Sequence, residues 1–347
     1  MQPANFIKGA LLALVISIIA MISWEFYLRH HGFGPSYDDN EALWAHERAM
    51  VYEPRNLATV FIGSSRIKYD LDIPTWQELT GDHAIQLANT GSNPRPFLQD
   101  LANDENFKGK LVIDVTEGLF FRPSAPDAWK TNKIIAYYHH ITPTQRFSFQ
   151  VDRVLESKLA LLDQYYFSIN ALMDHIKMPD RKEVVLEPLF PPEFDRTSLE
   201  RQNYMTPAFV ADTNLQKQVQ GIWGYYGKQD TSAPVSGAAL DSIFYSVKWA
   251  VDKIKSRGGQ VLFVRTPSSG FFRQVEIKNY PRAAYWDRLL AITGCPGIYF
   301  EDYPATAHMV CPEWSHLKPE DAVIYTYSLV KTLEEKGWTF KRKPEML

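Results

Sequence analysis

The chain has 347 residues, a formal net charge of −3, and apolar and charged fractions of 45% and 22%, as in ordinary globular proteins. A chain of this length can bury one large core or two modest cores. The near-neutral charge gives no electrostatic reason to expect nucleic acid as a partner.

The N-terminus departs from the globular pattern. Residues 9–24 contain no charge, and with the apolar residues just before them they approach the roughly 20 residues needed to cross a bilayer. We predict an uncleaved transmembrane anchor over residues 6–27, with a cytoplasmic N-terminus because very few residues precede the span. A cleaved signal peptide is the alternative, but bulky aromatic residues crowd the position where its cleavage site would fall: Trp24, Phe26 and Tyr27.

A polar connector, residues 28–57, is predicted to follow, with a short helix over 41–50. Short apolar runs and helical patterns then alternate along the chain. The predicted strands cover 58–62, 84–88 and 111–115, and the predicted helices cover 73–79 and 96–103. Continuous apolar strands that alternate with helices favour a parallel sheet covered on both faces.

The alternation stops over residues 119–238, which we predict to be a mainly helical insertion because a plain loop would not be this long. Within it lie helical patterns over 144–176, a proline-rich charged section over 187–195 and an aromatic-rich run over 221–226. The alternation then resumes, with helices predicted over 240–256, 281–293 and 319–336 and strands over 260–264 and 298–303. The predicted fold is α/β, a doubly wound and mostly parallel five-stranded sheet formed by residues 58–118 and 239–340.

Candidate site residues follow the predicted strands. Ligands of doubly wound sheets bind beyond the carboxyl ends of the strands. Ser65 follows the first strand, Gly91 the second and Thr116 the third, while His316 follows the last strand with Glu313 three residues before it. A hydroxyl at a strand end, an imidazole and a carboxylate are the parts of a serine nucleophile site.

In these residues the chain resembles the SGNH (GDSL-type) hydrolase superfamily. That family places its nucleophile two residues after a glycine, past the first strand, as in the Gly-Ser-Ser that ends at Ser65. A glycine after the second strand matches Gly91, and the C-terminal Asp-x-x-His matches Glu313 and His316, with glutamate for aspartate. The resemblance implies the flavodoxin-like form of the sheet and a serine esterase or acyl-transfer activity.

The resemblance covers residues 58–118 and 240–336. It implies that Ser65 is the nucleophile, that His316 is the base and that Glu313 orients the base. The family's third block supplies an asparagine to the oxyanion hole, but here that stretch reads Val-Thr-Glu-Gly over 115–118. The hole would then consist of the backbone N–H groups of Ser65 and Gly91, with or without Thr116, and the loss of one donor typically lowers the rate by about 10²–10³.

Membrane-anchored branches of this family take part in envelope-polymer acylation, among them the alginate O-acetylation proteins and the D-alanine transfer protein of teichoic acids. By resemblance, we expect an acyl esterase or O-acyltransferase in the cytoplasmic (inner) membrane, with its catalytic domain on the periplasmic side. Its partners would be an O-acylated polysaccharide of the envelope or an exported one, and a multi-spanning membrane acyltransferase. The alternative is an inactive member of the fold, a binding or assembly subunit, which the missing asparagine and the glutamate favour.

Arginines recur at the predicted strand ends. Guanidinium groups suit carboxylates and phosphates, so they predict an anionic glycan or a phosphate-bearing substrate. The alternative is ion pairing with nearby acids such as Asp70, Asp72 and Asp287. The four arginines are Arg66, Arg95, Arg265 and Arg282.

The chain has two cysteines, Cys295 and Cys311. Outside the cytoplasm they permit one disulfide, which would close a loop of about 15 residues and contribute about 3 kcal/mol. Two buried free thiols are the alternative. No zinc-ligand spacing and no glycine-rich phosphate loop is found in the sequence, so we expect no metal and no cofactor.

Overall fold

A computed structural model describes residues 3–123, 128–174, 176, 188–230 and 232–341. The chain forms two compact units. The first, here the N-terminal unit, comprises Met1–Asp39 and Thr142–Glu187, and the second, here the sheet unit, comprises Asn40–Ile141 and Pro188–Leu347. Parts of the predicted insertion lie outside the described residues, namely 124–127, 175, 177–187 and 231.

The strands of the described residues, numbered along the chain, belong to the sheet unit. They are β1 (Ala58–Ile62), β2 (His83–Gln86), β3 (Lys110–Asp114), β4 (Arg196–Thr197), β5 (Asn203–Tyr204), β6 (Gln260–Arg265) and β7 (Gly297–Tyr299). Five of them pair in parallel in the order β2-β1-β3-β6-β7, and β4 and β5 form a separate antiparallel pair. The predicted α/β class with a five-stranded parallel sheet is therefore confirmed.

The helices of the N-terminal unit are α1 (Pro3–His30), α8 (Pro143–Glu156) and α9 (Ile169–Asp174), numbered along the whole chain. Those of the sheet unit are α2 (Glu41–Ala49), α3 (Ser65–Asp70), α4 (Ile73–Thr80), α5 (Arg95–Asn103), α6 (Glu117–Phe120), α7 (Ala128–His140), α10 (Pro207–Ala211), α11 (Thr213–Gln229), α12 (Gly237–Ser256), α13 (Gly270–Asn279), α14 (Trp286–Thr293) and α15 (Pro319–Glu335). Single 3₁₀ turns cover Met50–Tyr52, Ala160–Leu162 and Phe300–Asp302.

The strands β1 and β3 are covered by protein on both faces. All five residues of β1 and of β3 are buried, as expected for strands covered on both faces. Successive side chains point to opposite faces, so Val60 and Ile62 join one apolar cluster while Phe61 joins another. The sheet therefore lies between two separate parts of the core.

The two cysteines belong to different apolar clusters, one on each face of the sheet. Cys295 is buried in the cluster that contains Val60, whereas Cys311 is buried in the cluster that contains Phe61. Both are free thiols. The predicted disulfide is wrong for this structure, because the two side chains pack on opposite faces of the sheet.

One helix of the described residues, α1, is long and apolar enough to cross a membrane. The candidate span is Phe6–His30, 25 residues. Residues 6–23 of it are exposed, so no described part of the protein covers their apolar side chains, whereas Leu28 near its end is buried.

Candidate active site

The nucleophile candidate lies in the turn between β1 and α3. A methyl group added at Gly63 would come within 2.6 Å of the Asp114 Cβ and 2.8 Å of the Ile67 Cγ2, so the turn needs glycine for close packing against β3. Ser65 is the first residue of α3 and is half-buried, whereas Ser64 before it is buried. The turn thus leaves the Ser65 hydroxyl accessible in otherwise packed surroundings.

The carboxylate of Asp114, at the end of β3, is hydrogen-bonded to this turn. It accepts hydrogen bonds from the Ser64 backbone N–H, from Thr266 Oγ1 at 2.9 Å and from Thr116 Oγ1 at 3.2 Å. Burial raises the pKa of Asp114, which is fully buried. No local pattern in the sequence marks this residue as part of the site.

Glu313 and His316 form a tight turn before α15. Glu313 Oε1 accepts hydrogen bonds from the His316 backbone N–H at 2.6 Å, the His316 Nδ1 at 3.0 Å and the Ser315 backbone N–H at 3.2 Å. Trp314 adopts a left-handed conformation with φ 80°, which bends the chain enough for the carboxylate to reach the ring. The spacing of three residues therefore orients the imidazole.

Ser65 meets the other side of this imidazole. Its Oγ lies 2.8 Å from His316 Nε2, so a continuous hydrogen-bonded chain runs from the hydroxyl through the ring to the Glu313 carboxylate. The structure brings together the three residues for which the sequence predicted catalytic roles. His316 is only 1% exposed, whereas Ser65 retains access to solvent.

A second acid connects α3 to the histidine segment. Asp70, at the last position of α3, accepts a hydrogen bond of 2.9 Å from the Leu317 backbone N–H. Asp70 is fully buried, and burial raises its pKa well above the usual value. One short helix thus holds Ser65 at its start and the neighbour of His316 at its end.

An aromatic wall surrounds the imidazole. The Tyr69 ring stacks on His316 with centroids 4.2 Å apart, and Phe194 and Trp223 lie about it at 6.0 and 6.2 Å. Trp223 Nε1 also donates a hydrogen bond to Glu313 Oε2. Trp223 belongs to the aromatic-rich run over 221–226, which was the sequence signal for this contact.

The oxyanion candidates lie in neighbouring loops. Gly91 follows β2 with φ 64° and is exposed, and the Asn89 N–H donates to the Gly63 carbonyl at 3.2 Å, which joins this loop to the nucleophile turn. Thr116 follows β3, and its Oγ1 lies 2.7 Å from Ser64 Oγ. Since Thr116 also donates to Asp114, its hydroxyl has partners within the framework of the site.

Two of the four candidate arginines are buried with carboxylates. Arg265 is fully buried and bonds to Glu117, at 3.0 and 3.1 Å, and to Glu276. Arg66 also bonds to Glu276, at 2.5 Å. Burial alone would raise the pKa of Glu276, but Arg265 and Arg66 lower it to about 2. We therefore assign these two arginines to the framework, as in the ion-pairing alternative.

The other two arginines reach solvent. Arg282 is exposed and pairs with Asp287 at 3.2 Å and with Asp302 at 2.5 and 2.7 Å. Arg95, in the loop-proximal end of α5, donates to the Asn93 side chain and to the Arg122 carbonyl. Burial lowers the pKa of Arg95 to about 10.

No protein-family model and no curated protein matches the chain. Within the described part of the chain, no group of three His, Cys, Asp or Glu side chains is arranged to hold a metal ion.

Proposed function

We propose that the protein is an SGNH-like serine esterase or O-acyltransferase that acts on an O-acylated polysaccharide through an acyl-enzyme. The observation that supports this most is the hydrogen-bonded chain from Ser65 Oγ through His316 to Glu313, at 2.8 and 3.0 Å. Both distances lie within the reach required of a nucleophile and its base.

In the first half-reaction Ser65 Oγ attacks the acyl carbonyl of the substrate. Its proton passes to His316 Nε2, and the resulting imidazolium is stabilised by Glu313. The tetrahedral intermediate then collapses, the bond to the sugar oxygen breaks, and that oxygen takes the proton from His316. The products are an acyl ester on Ser65 and a sugar hydroxyl.

The negative charge on the intermediate needs donors. The backbone N–H groups of Ser65 and Gly91 are the proposed pair, since the Gly91 loop is hydrogen-bonded to the nucleophile turn. The Thr116 hydroxyl, which already lies against Ser64, maintains the turn.

In the second half-reaction another hydroxyl attacks the acyl ester, and His316 takes its proton as a base and returns it to Ser65. Water gives hydrolysis, and a sugar hydroxyl gives transfer. Arg95 is the arginine proposed to bind an anionic glycan, because it lies near the Gly91 loop and its contacts are with neutral oxygens.

The proposed location follows from α1. We propose that Phe6–His30 anchors the protein in the cytoplasmic membrane with the sheet unit on the outer side, since this helix is long and apolar enough to cross a bilayer. In the transfer reaction a multi-spanning acyltransferase in the same membrane would supply the acyl group to Ser65, and its acyl-carrying group would then leave with the proton from His316 in place of the sugar oxygen.

The test is labelling with a fluorophosphonate, which reacts covalently with activated serines. The full-length protein in detergent is compared with Ser65→Ala and His316→Ala. We expect labelling of the wild type and loss of labelling in both variants, because one removes the nucleophile and the other removes its base.

Ser64→Ala is the matched control, since Ser64 neighbours the nucleophile but does not contact His316 in the described hydrogen bonds. It should still label. If the wild type binds polysaccharide yet does not label, the enzyme proposal fails and the protein is a binding subunit built on the same fold.

A further inference from the structure

Three residues near the end of α1 hold a distant segment of the N-terminal unit. Glu25 accepts hydrogen bonds from the backbone N–H groups of Ala160 and Leu161 at 3.1 and 3.0 Å. Arg29 donates to the Lys158 carbonyl at 2.7 Å, and Trp24 Nε1 donates to the Phe167 carbonyl at 3.1 Å. An apolar cluster reinforces the contact, formed by Leu28, Ala160 and Phe167.

These contacts fix the depth of the segment relative to the proposed membrane span. A helix rises 1.5 Å per residue, so about 20 residues cross a hydrocarbon core of about 30 Å. Counted from Phe6, the core ends near Glu25. Residues 158–167 are hydrogen-bonded to α1 between Trp24 and Arg29. They therefore lie at the level of the lipid headgroups.

Helix α8 enters this segment with an apolar stripe exposed to solvent. Phe147, Val151 and Val154 are 71%, 43% and 56% exposed, and Leu155 beside them is 44% exposed. Their spacing of four, three and one residues places all four on one side of the helix. No described part of the protein covers this stripe.

The opposite side of α8 is packed or polar. Phe149 is buried there, and Glu156 hydrogen-bonds to the Asp38 side chain, which is also buried. The helix thus has one face directed into its own unit and one apolar face left open. Such a two-faced helix is typical of segments that lie in a membrane interface.

Helix α9, which leaves the same segment on its other side, repeats the pattern. Ile169, Leu172 and Met173 are 77%, 39% and 63% exposed, and Ile176 just beyond the helix is 63% exposed. The spacing of three, one and three residues again defines one face. Two helices of the same unit thus leave apolar stripes open to solvent, a feature typical of protein or membrane interaction sites.

We infer that α8 and α9 lie on the membrane surface with their apolar stripes in the lipid, so that the N-terminal unit is both anchored and seated in the bilayer. The occupant of the stripes is phospholipid, because the hydrogen bonds to α1 hold both helices at the depth where acyl chains begin. The inference rests on the proposed membrane anchorage and is independent of the proposed acyl chemistry.

The experiment uses full-length protein in vesicles of phosphatidylcholine and phosphatidylglycerol. Single cysteines are placed on the two stripes, Phe147→Cys, Val154→Cys and Met173→Cys, and labelled with an environment-sensitive fluorophore. Asp152→Cys is the matched control, exposed on the same helix about 140° away from Phe147. The two native cysteines are buried, and unsubstituted protein gives the background.

We expect quenching by doxyl-labelled lipids to be several-fold stronger at the stripe positions than at Asp152→Cys. Equal and weak quenching at all positions would overturn the inference. So would strong energy transfer between labels on different copies without lipid quenching, since protein would then cover the stripes. Fluorophosphonate labelling of the same vesicles tells whether the acyl chemistry holds, independently of the lipid result.

Discussion

The two carboxylate oxygens of Glu313 have different partners. Oε1 accepts from Ser315 N–H, His316 N–H and His316 Nδ1, all within its own turn. Oε2 accepts from Trp223, on a helix about 90 positions earlier in the chain. Glu313 thereby orients the imidazole locally, and Trp223 fixes the orienting group.

Glu313→Gln should slow the labelling of Ser65 by about 10²–10⁴, because a neutral amide stabilises the imidazolium poorly and favours the wrong ring tautomer. The second-order rate of fluorophosphonate labelling, measured across pH, checks this. Trp223→Phe is the matched control, since it removes the bond to Oε2 and keeps those to Oε1, and it should cost less than tenfold. If Glu313→Gln is labelled at the wild-type rate, Glu313 does not assist the base.

How much of the site the sequence could predict depends on where each contact originates. Ser65, Gly91 and His316 were predicted because they stand at strand ends in a recognisable order. The residues that hold them in place were missed, since their contacts join positions far apart in the chain and have no local pattern: Tyr69, Asp70, Asp114 and Trp223.

At the level of helices and strands, the apolar runs predicted the strands of the parallel sheet to within one or two residues, except at β7, whereas β4 and β5 were not predicted. The predicted strand over 298–303 ends at Tyr299, because a 3₁₀ turn takes up Phe300–Asp302. The helix predicted over 281–293 begins only at Trp286, after a turn. Helix α13 was not predicted, yet it contributes Glu276, which pairs with Arg265 and Arg66.

The connector and α8 meet through two acids. Asp38 accepts from the Gln164 N–H at 3.0 Å and shares a hydrogen bond with Glu156. Burial raises the pKa of Asp38 to about 6 and that of Glu156 to about 7. Both acids thus hold protons more tightly in the folded unit than in the unfolded chain.

This contact should weaken as pH rises. Because both folded-state pKa values are raised, the stabilisation is fully present below the unfolded values and is lost as pH passes through about 6 to about 7. Hydrogen exchange of residues 156–166, corrected for intrinsic rates, should be faster at pH 8 than at pH 5.

Asp38→Asn, which stays uncharged, should flatten that pH dependence. Glu41→Gln is the control, since the pKa of Glu41 is lowered: burial raises it, but the contact with Lys133 outweighs burial. The control should leave the pH dependence unchanged. Equal exchange at both pH values in the wild type would contradict the prediction.

On the scale of the whole molecule, the sheet separates the two thiols. Burial raises the pKa of both Cys295 and Cys311, and only the thiolate reacts with alkylating reagents. Neither should be alkylated in the native protein. In a urea series both should react over the same transition, because the faces on which they pack belong to one sheet.

Mass spectrometry of non-reduced, alkylated protein checks this, with Cys295→Ser as the control that retains one site. A linked Cys295–Cys311 peptide would contradict the structure. Alkylation of one thiol at much lower urea than the other would instead show that the two faces of the sheet unfold separately.

The division of the chain into two compact units could not be predicted from the sequence. Residues 119–238 were predicted as one insertion, whereas 142–187 group with the N-terminal segment and the rest with the sheet unit. The grouping of 142–187 depends on hydrogen bonds such as Glu25 to Ala160, across 135 positions. No local pattern reports contacts of that range.

The turn that contains Glu313 and His316 has a consequence for how activity is lost. The acid and the ring are aligned by four consecutive residues, whereas Ser65 reaches them from 251 positions away. Orientation of the base is thus a local property of the chain, and arrival of the nucleophile is a global one. In a variant that loosens the sheet, the Ser65 hydroxyl will move away from a histidine that Glu313 still orients. The Ser65–His316 distance therefore reports on the packing of the whole sheet unit.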